Sequence, residues 1–526
     1  MKSINLHVSH ACYTVALVAL ILVNQAVLPA VISVGHRGNS SFAPENTVAA
    51  INATRGKADW VEFDVHKSLD GALVVIHDDT VNRTTTGTGS VASMTLSQLR
   101  ALDAGVKFDP YFTSEKIPTF DEAVNAALAN GLIPLIERKA SSVTPADLSN
   151  ALAALGATTG VVVQSFDWNF IRDLHTLNPV IRIGVLGSGT LTTASISQAK
   201  SDGSEMIAWE QGGVTPSVVA AVHSYGLNML AWTVDGLAIP TVYDRGVDGI
   251  ISNDPGLVSE VAGRNPYVPG SLETDLIAYW KLDDNLTSVA PEFVADSKGA
   301  NTGAVAGAPA WATPPTAMFG GAVLLDGVDD AVVMPSNPVL DIGVNGCGIS
   351  LWVKLDQLPS EQSVSYAGIY DSVEDSYVLY VDKSNNELRV KFTAGADAVR
   401  PGIPSSSLEK TRWHHIAAVY NGNWGALAGE SRIYFDGKLK DNHAGKDGSS
   451  SPYKGMTGLV KPGQIGAIGR NGSQASGYFK GRVDDVALWK RPLSMPEIQQ
   501  IYAAGLTGQP LSALLPITRV GDWTLY

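Results

Sequence analysis

Between residue 31 and about residue 261 the chain alternates short apolar runs with longer segments whose apolar positions recur every three or four residues. The runs are VISV, WVEFDV, LIPLIE, GVVVQSF, IRIGVL, MIAWE, LNMLAWTV and VDGIIS, each the length of a buried strand. Between them, TFDEAVNAALANG, TPADLSNALAALG and TPSVVAAVHSYG open on Thr beside Pro or an acidic residue and close on Gly, the capping pattern of helices. Strands alternating with helices build a parallel sheet. Eight of them predict a closed (β/α)8 TIM barrel, with an open doubly wound sheet as the alternative. A further run, LVVIHDD at 73–79, follows the second strand after a turn containing Asp70 and Gly71. That connection is roughly half the dozen residues a parallel crossover needs. It therefore predicts an antiparallel hairpin that carries His77 back beside Glu62 and Asp64, and residues 80–118 read as an insertion over the barrel mouth.

Past GRNPYVPGS (263–271) the pattern changes to aromatic and β-branched runs separated by Gly, Asn and Asp turns. IAYWKLDD, AVLLDG, GISLWVKL, SYVLYVD, ELRVKF, HHIAAVY, SRIYFDG and VDDVALW are examples, and SMPEIQQIYAAG is the one convincing helix. Short strands at this spacing predict an all-β antiparallel sandwich. At the other end, Lys2 precedes ACYTVALVALILV and NQAVLPA, the charged, apolar, small-residue order of a secretory signal. The expected organisation is a signal peptide at 1–30, a barrel at 31–263 and a sandwich at 272–506, in a protein that is secreted, periplasmic or at the cell surface. Cys12 would leave with the signal, so Cys347 has no partner for an intramolecular disulfide. A net charge of -14 argues against nucleic acid as a partner, because phosphate backbones are met with clustered Lys and Arg.

In a barrel of this kind the functional groups stand at the C-terminal ends of the strands. His36 and Arg37 follow the first strand directly. Glu62 and Asp64 end the second, and period-two alternation points both carboxylates to one face. Glu137 ends the next barrel strand in PLIERK. Three carboxylates at one rim need a cation between them, and all-oxygen ligation suits Mg²⁺ or Ca²⁺. Arg37 offers a donor fork that matches phosphate oxygens. His36 and His77 can divide the proton traffic, one taking a proton from the attacking hydroxyl and the other giving one to the leaving alkoxide. The set reads as phosphodiester cleavage. TTTGTGSV lacks the Lys of a P-loop and is taken as a flexible turn.

GHRGNSSFAPENT, VEFDVHKSLDGALVVIHDDTVNRTTTGTG, PLIERK, VQSFDW and the LAWTVDG to GVDGIISNDP stretch resemble, in order, the signature blocks of the glycerophosphodiester phosphodiesterase family. The resemblance implies a metal-dependent barrel that hydrolyses glycerophosphodiesters to glycerol 3-phosphate and an alcohol. It implies His36 and His77 as the acid/base pair, Glu62, Asp64 and Glu137 as metal ligands, and Arg37 and Lys139 as phosphate contacts. Trp232, and with it Phe166, would line the glycerol side of the pocket. Two positions depart from the pattern: Arg138 replaces a commonly apolar residue, and Asp235 stands where Asn is frequent. Attack by the substrate's own glycerol hydroxyl and attack by water both remain open. The second half resembles a laminin-G-like, concanavalin A-like jelly roll, which implies a glycan or cell-surface ligand. Asp283/Asp284, Asp329/Asp330, Trp413, Trp424 and Trp489 are read there as structural. The alternatives are an adhesin or glycan binder whose barrel is inactive, and a phospholipase D-like enzyme acting on lysophospholipid or sphingomyelin.

Overall fold

The computed structural model describes residues 31–526 except 264–270, 285–290, 300, 341–344, 373–376, 395–396, 423–429, 444–462, 469–476 and 516–526. The proposed signal segment and Trp424 therefore lie outside the described residues. Eight parallel strands alternate with helices: β1 (Ile32–Gly35), β2 (Trp60–Lys67), then, after the hairpin strand β3 (Leu73–Val75), β4 (Ile133–Arg138), β5 (Val162–Ser165), β6 (Arg182–Gly187), β7 (Met206–Glu210), β8 (Asn228–Trp232) and β9 (Gly249–Ser252). β1 pairs with both β2 and β9, which closes the barrel and excludes the open sheet. β3 runs antiparallel to β2 with Val65 opposite Val75, so the short connection is a hairpin.

The helices start where the capping chemistry placed them. Thr119, Thr144 and Thr215 each accept a hydrogen bond from the backbone three residues on, and Pro145 and Pro216 occupy the first turn. Val34, Leu135, Val162, Leu186, Ala208, Leu230 and Ile251 fill the barrel interior, while the larger apolar cluster lies between strands and helices. The insertion has a small core of its own, with Val81, Val91, Leu99 and Ile117 packed beside Val74 and Ile76.

The second half is an antiparallel sandwich. One sheet contains Leu276–Trp280, Ala322–Asp326, Cys347–Leu355, His414–Tyr420, Ser431–Phe435 and Lys480–Trp489; the facing sheet contains Tyr366–Asp371, Tyr377–Asp382 and Glu387–Ala394. Alternate residues such as Leu351, Val353, Leu379, Val381, Val390 and Ile416 form the layer between them. Trp489 is fully buried and donates its indole N–H to the Leu272 carbonyl at 2.7 Å. Asp283, Asp284 and Asp330 accept backbone N–H groups from neighbouring segments of the sandwich. Leu257 and Val258 of the barrel's last helix, Pro255–Val261, belong to one continuous apolar cluster with Ala417, Tyr434, Trp489 and Ile498 of the sandwich. The two halves share a core.

Candidate active site

His36, Arg37, Glu62, His77, Glu137, Lys139, Phe166 and Trp232 all line one cavity of about 180 Å³ at the C-terminal mouth of the barrel, together with Gln164, Leu186, Thr233 and Ile251. Asp64 lies just beneath this lining. The parallel register sets Asp64 opposite Glu137 and Glu62 opposite Leu135, so period-two alternation delivers all three carboxylates to one place. One oxygen from each of Glu62, Asp64 and Glu137 lies within 4.8 Å of the other two.

This cluster is buried, and its protons are held accordingly. Burial, then Asp64 and Glu137, push Glu62 well above the ordinary carboxylate range; burial and Asp64 push Glu137 up to about 7. Arg37 and Lys139 oppose this. The Arg37 backbone N–H donates to Glu62 at 2.8 Å, and Lys139 Nζ lies 2.9 Å from Glu137 and 3.8 Å from Asp64. Asn46 Nδ2 donates to Asp64 at 2.7 Å. Two cations face three carboxylates, and Glu62 Oε1 is buried without a hydrogen-bond partner among the described residues. A buried acceptor with no donor beside two more carboxylates is a donor set that fits a hard divalent cation.

His36 is held in one tautomer. Asn253 Nδ2 donates to Asp235 at 2.6 Å, which turns the Asn253 carbonyl oxygen toward His36, where Nδ1 lies 2.7 Å away. The imidazole proton therefore sits on Nδ1 and leaves a lone pair on Nε2. Burial, reinforced by Arg37, lowers the His36 pKa, so the ring is neutral near pH 7. His77 is held differently. Its Nδ1 lies 2.7 Å from an oxygen of Asp78, and its Nε2 is 3.1 Å from Lys139 Nζ. Arg83 of the insertion donates to both oxygens of Asp78 and both of Glu45, and Glu45 also accepts from Arg37 at 2.8 Å. Hydrogen bonds from Arg83 hold the Asp78 carboxyl far below its usual range, and those from Arg83 and Arg37 outweigh burial to hold Glu45 at about 2.

The backbone at the first strand's end is as tight as the motif demands. Arg37 adopts φ 56° and Gly38 φ 89°, and a Cβ on Gly38 would come within 2.6 Å of the Ala50 backbone. Trp232 donates its indole N–H to Ala208 and meets Phe166 edge to face at 5.7 Å, so two aromatic rings form one wall of the cavity. Arg138 points away from the cavity, donating to the Val143 carbonyl and lying over Phe170 at 4.7 Å, which explains why a charged residue is tolerated inside the ERK block.

Residues 36–257 match the model of the glycerophosphoryl diester phosphodiesterase family. The glycerophosphodiester phosphodiesterase of Caldanaerobacter subterraneus subsp. tengcongensis is 34% identical over 236 residues, which span 42% of this chain and 93% of that protein. The chain belongs to the glycerophosphoryl diester phosphodiesterase family. The Bacillus subtilis glycerophosphodiester phosphodiesterase is 28% identical over 258 residues, 44% of this chain and 86% of that protein. A solved structure of an Oleispira antarctica phosphodiesterase in complex with the product sn-glycerol-3-phosphate is 27% identical, with a TM-score of 0.41 over 45% of this chain and 97% of that one. Residues 326–499 match the concanavalin A-like lectin/glucanases superfamily. The two curated relatives are matched over 93% and 86% of their own length by 42% and 44% of this chain, and the family model ends at residue 257, so the sandwich lies outside the matched region.

Proposed function

We propose that this glycerophosphodiester phosphodiesterase cleaves its substrate to glycerol 3-phosphate and an alcohol with His36 as base, His77 as acid, and a divalent cation held by Glu62, Asp64 and Glu137. The single observation that carries the reading is the convergence of two imidazoles, an arginine and a lysine on one cavity whose Glu62 and Glu137 cluster with buried Asp64. When bound, the cation would neutralise the carboxylates and withdraw charge from the phosphoryl oxygens. Arg37 and Lys139 orient the phosphate and exclude water from its charged face. His36 accepts the proton of the attacking hydroxyl at Nε2, the nitrogen that its bond to Asn253 leaves free. His77 releases its proton from Nε2 to the departing alkoxide, and the Asp78 carboxylate stabilises the imidazolium until then. For Nε2 to carry that proton the Lys139 ammonium, 3.1 Å away, must turn from His77 to the phosphate. Trp232 and Phe166 pack against the carbon skeleton of the glycerol.

Two further elements belong to the proposal. The order of charged, apolar and small residues in 1–30 supports export, checked by sequencing the mature N-terminus. A groove of about 390 Å³ on the sandwich, lined by Tyr366, Tyr380, Asn385 and Arg389 among others, supports a carbohydrate ligand for that half. The test of the main reading is release of glycerol 3-phosphate from glycerophosphocholine, glycerophosphoglycerol and glycerophosphoinositol with added Mg²⁺ or Ca²⁺. Turnover abolished by chelator, and lowered about 100-fold or more in His36→Ala, is expected. Absence of turnover on every diester would overturn the reading in favour of a binding protein with a silent barrel.

A further inference from the structure

A second cavity, of about 250 Å³, is lined by Ser40, Pro44, Glu45, Arg83, Thr84, Ala104, Lys107 and Phe108, between the loop after β1 and the insertion. Its relation to the catalytic cavity is fixed by shared partners. Arg37, which lines the catalytic cavity, donates to Glu45, which lines the second. Arg83, which lines the second, grips Asp78, whose other contact is His77 of the first. The two linings are therefore neighbours, joined by one hydrogen-bonded chain of side chains running from His77 through Asp78, Arg83 and Glu45 to Arg37. The glycerol wall of Trp232 and Phe166 belongs to the catalytic cavity alone. The side of the phosphate next to His77 is where a leaving alkoxide must stand to receive its proton.

Resting on the catalytic reading above, we propose that this second cavity receives the alcohol arm of the substrate and selects a hydroxyl-rich, uncharged or anionic head over a quaternary ammonium one. The argument lies in which groups can still bind. Both oxygens of Glu45 are taken by guanidinium donors, Oε1 by Arg37 and Arg83 and Oε2 by Arg83, so the one carboxylate among the described residues of the lining is closed to a cationic head. Among the described residues of the lining Phe108 is the one aromatic ring, and a choline-type cation is held by several rings or by an open carboxylate. Lys107, exposed on the insertion, gives one Nζ hydrogen bond to the Asn82 carbonyl and keeps a positive charge and two further donors for a ligand. The hydroxyls of Ser40 and Thr84 add short polar contacts, Ser40 having spent its proton on Asn253 at 2.7 Å and keeping its oxygen as an acceptor. Such a lining repels trimethylammonium and hydrogen-bonds a polyol.

The test compares kcat/KM for glycerophosphoinositol, glycerophosphoglycerol and glycerophosphocholine in the full-length wild type and in Lys107→Glu and Lys107→Met. The wild type is expected to favour the two polyol diesters over the choline diester by about tenfold or more. Lys107→Glu is expected to reduce that ratio about tenfold and Lys107→Met to lie between, because one reverses the charge and the other only removes it. Turnover of all three diesters with ratios that neither variant moves would overturn the subsite while leaving the catalytic reading intact. Preference of the wild type for choline would overturn it as well. Failure to turn over any diester would instead reject the catalytic reading itself.

Discussion

Asn253 decides which nitrogen of His36 is available, and Asp235 decides which way Asn253 faces. Neither residue is itself part of the catalytic cavity's lining; Asn253 reaches that cavity through the His36 imidazole and also accepts from Ser40. Asn253→Ala is expected to lower kcat roughly 10- to 100-fold with little change in KM, the range met when a group that orients a functional imidazole is removed. Steady-state kinetics on glycerophosphoinositol check this, and an unchanged kcat would contradict it. At this scale the sequence is legible where chemistry is dense. HRG, EFD and ERK stand directly at strand ends, and the period of two puts Glu62 and Asp64 together. It is illegible where a partner comes from far along the chain. Asn253 lies 217 residues from His36, and Asp235 reads in sequence only as a departure from a family pattern. Gln164, buried on β5 and lining the cavity, was likewise hidden inside an apolar run, although its place near a strand's C-terminal end was a signal for it.

The strand and helix boundaries follow from local rules, since caps, glycines and run lengths are short-range properties. The hairpin of β2 and β3 is the best instance, because the length of a connection is enough to forbid a parallel crossover. What local rules leave out is how closely elements approach. Gly38 allows the loop after β1 to lie against Ala50 of the following helix, and Gly38→Ala combines a positive φ with a backbone clash. It should cost about 1–3 kcal/mol, measured by urea denaturation; an unchanged midpoint would show that the loop relaxes freely. A second consequence at this scale concerns the sandwich pair Cys347–Leu355 and His414–Tyr420. His415 is fully buried there, 2.8 Å from Ser350 Oγ, and burial lowers its pKa to about 4. The unfolded value is about 6.5, so the unfolded chain binds the proton first. Stability is then complete above that value and declines as pH falls from it toward 4. The thermal midpoint should drop between pH 7 and pH 5 more steeply in the wild type than in His415→Gln, and parallel pH profiles would contradict the assignment.

Across the whole molecule the barrel and the sandwich are joined by more than a linker. Arg432, on a sandwich strand and 1% exposed, donates to Glu260 of the barrel's last helix and to Glu430, with Asp254 at 3.5 Å; Tyr434 donates to Glu260 as well. In sequence these residues look like ordinary solvated charges on strand and helix faces. Their burial depends on the other half of the chain covering them, which no local pattern encodes. Replacing one member of a buried ion group strands the others, so Arg432→Met should cost about 3–5 kcal/mol. The shared core further predicts that the two halves melt together in calorimetry; two well-separated transitions in the wild type would contradict a common core. The account of the whole enzyme, though, depends on the carboxylates at the barrel mouth. Calorimetric titration of Mg²⁺ and Ca²⁺ into the wild type and into Asp64→Asn and Glu137→Gln tests it most directly. Saturable binding by the wild type that is lost in both variants is the predicted result, and binding that survives in both, or is absent from the wild type, would contradict it.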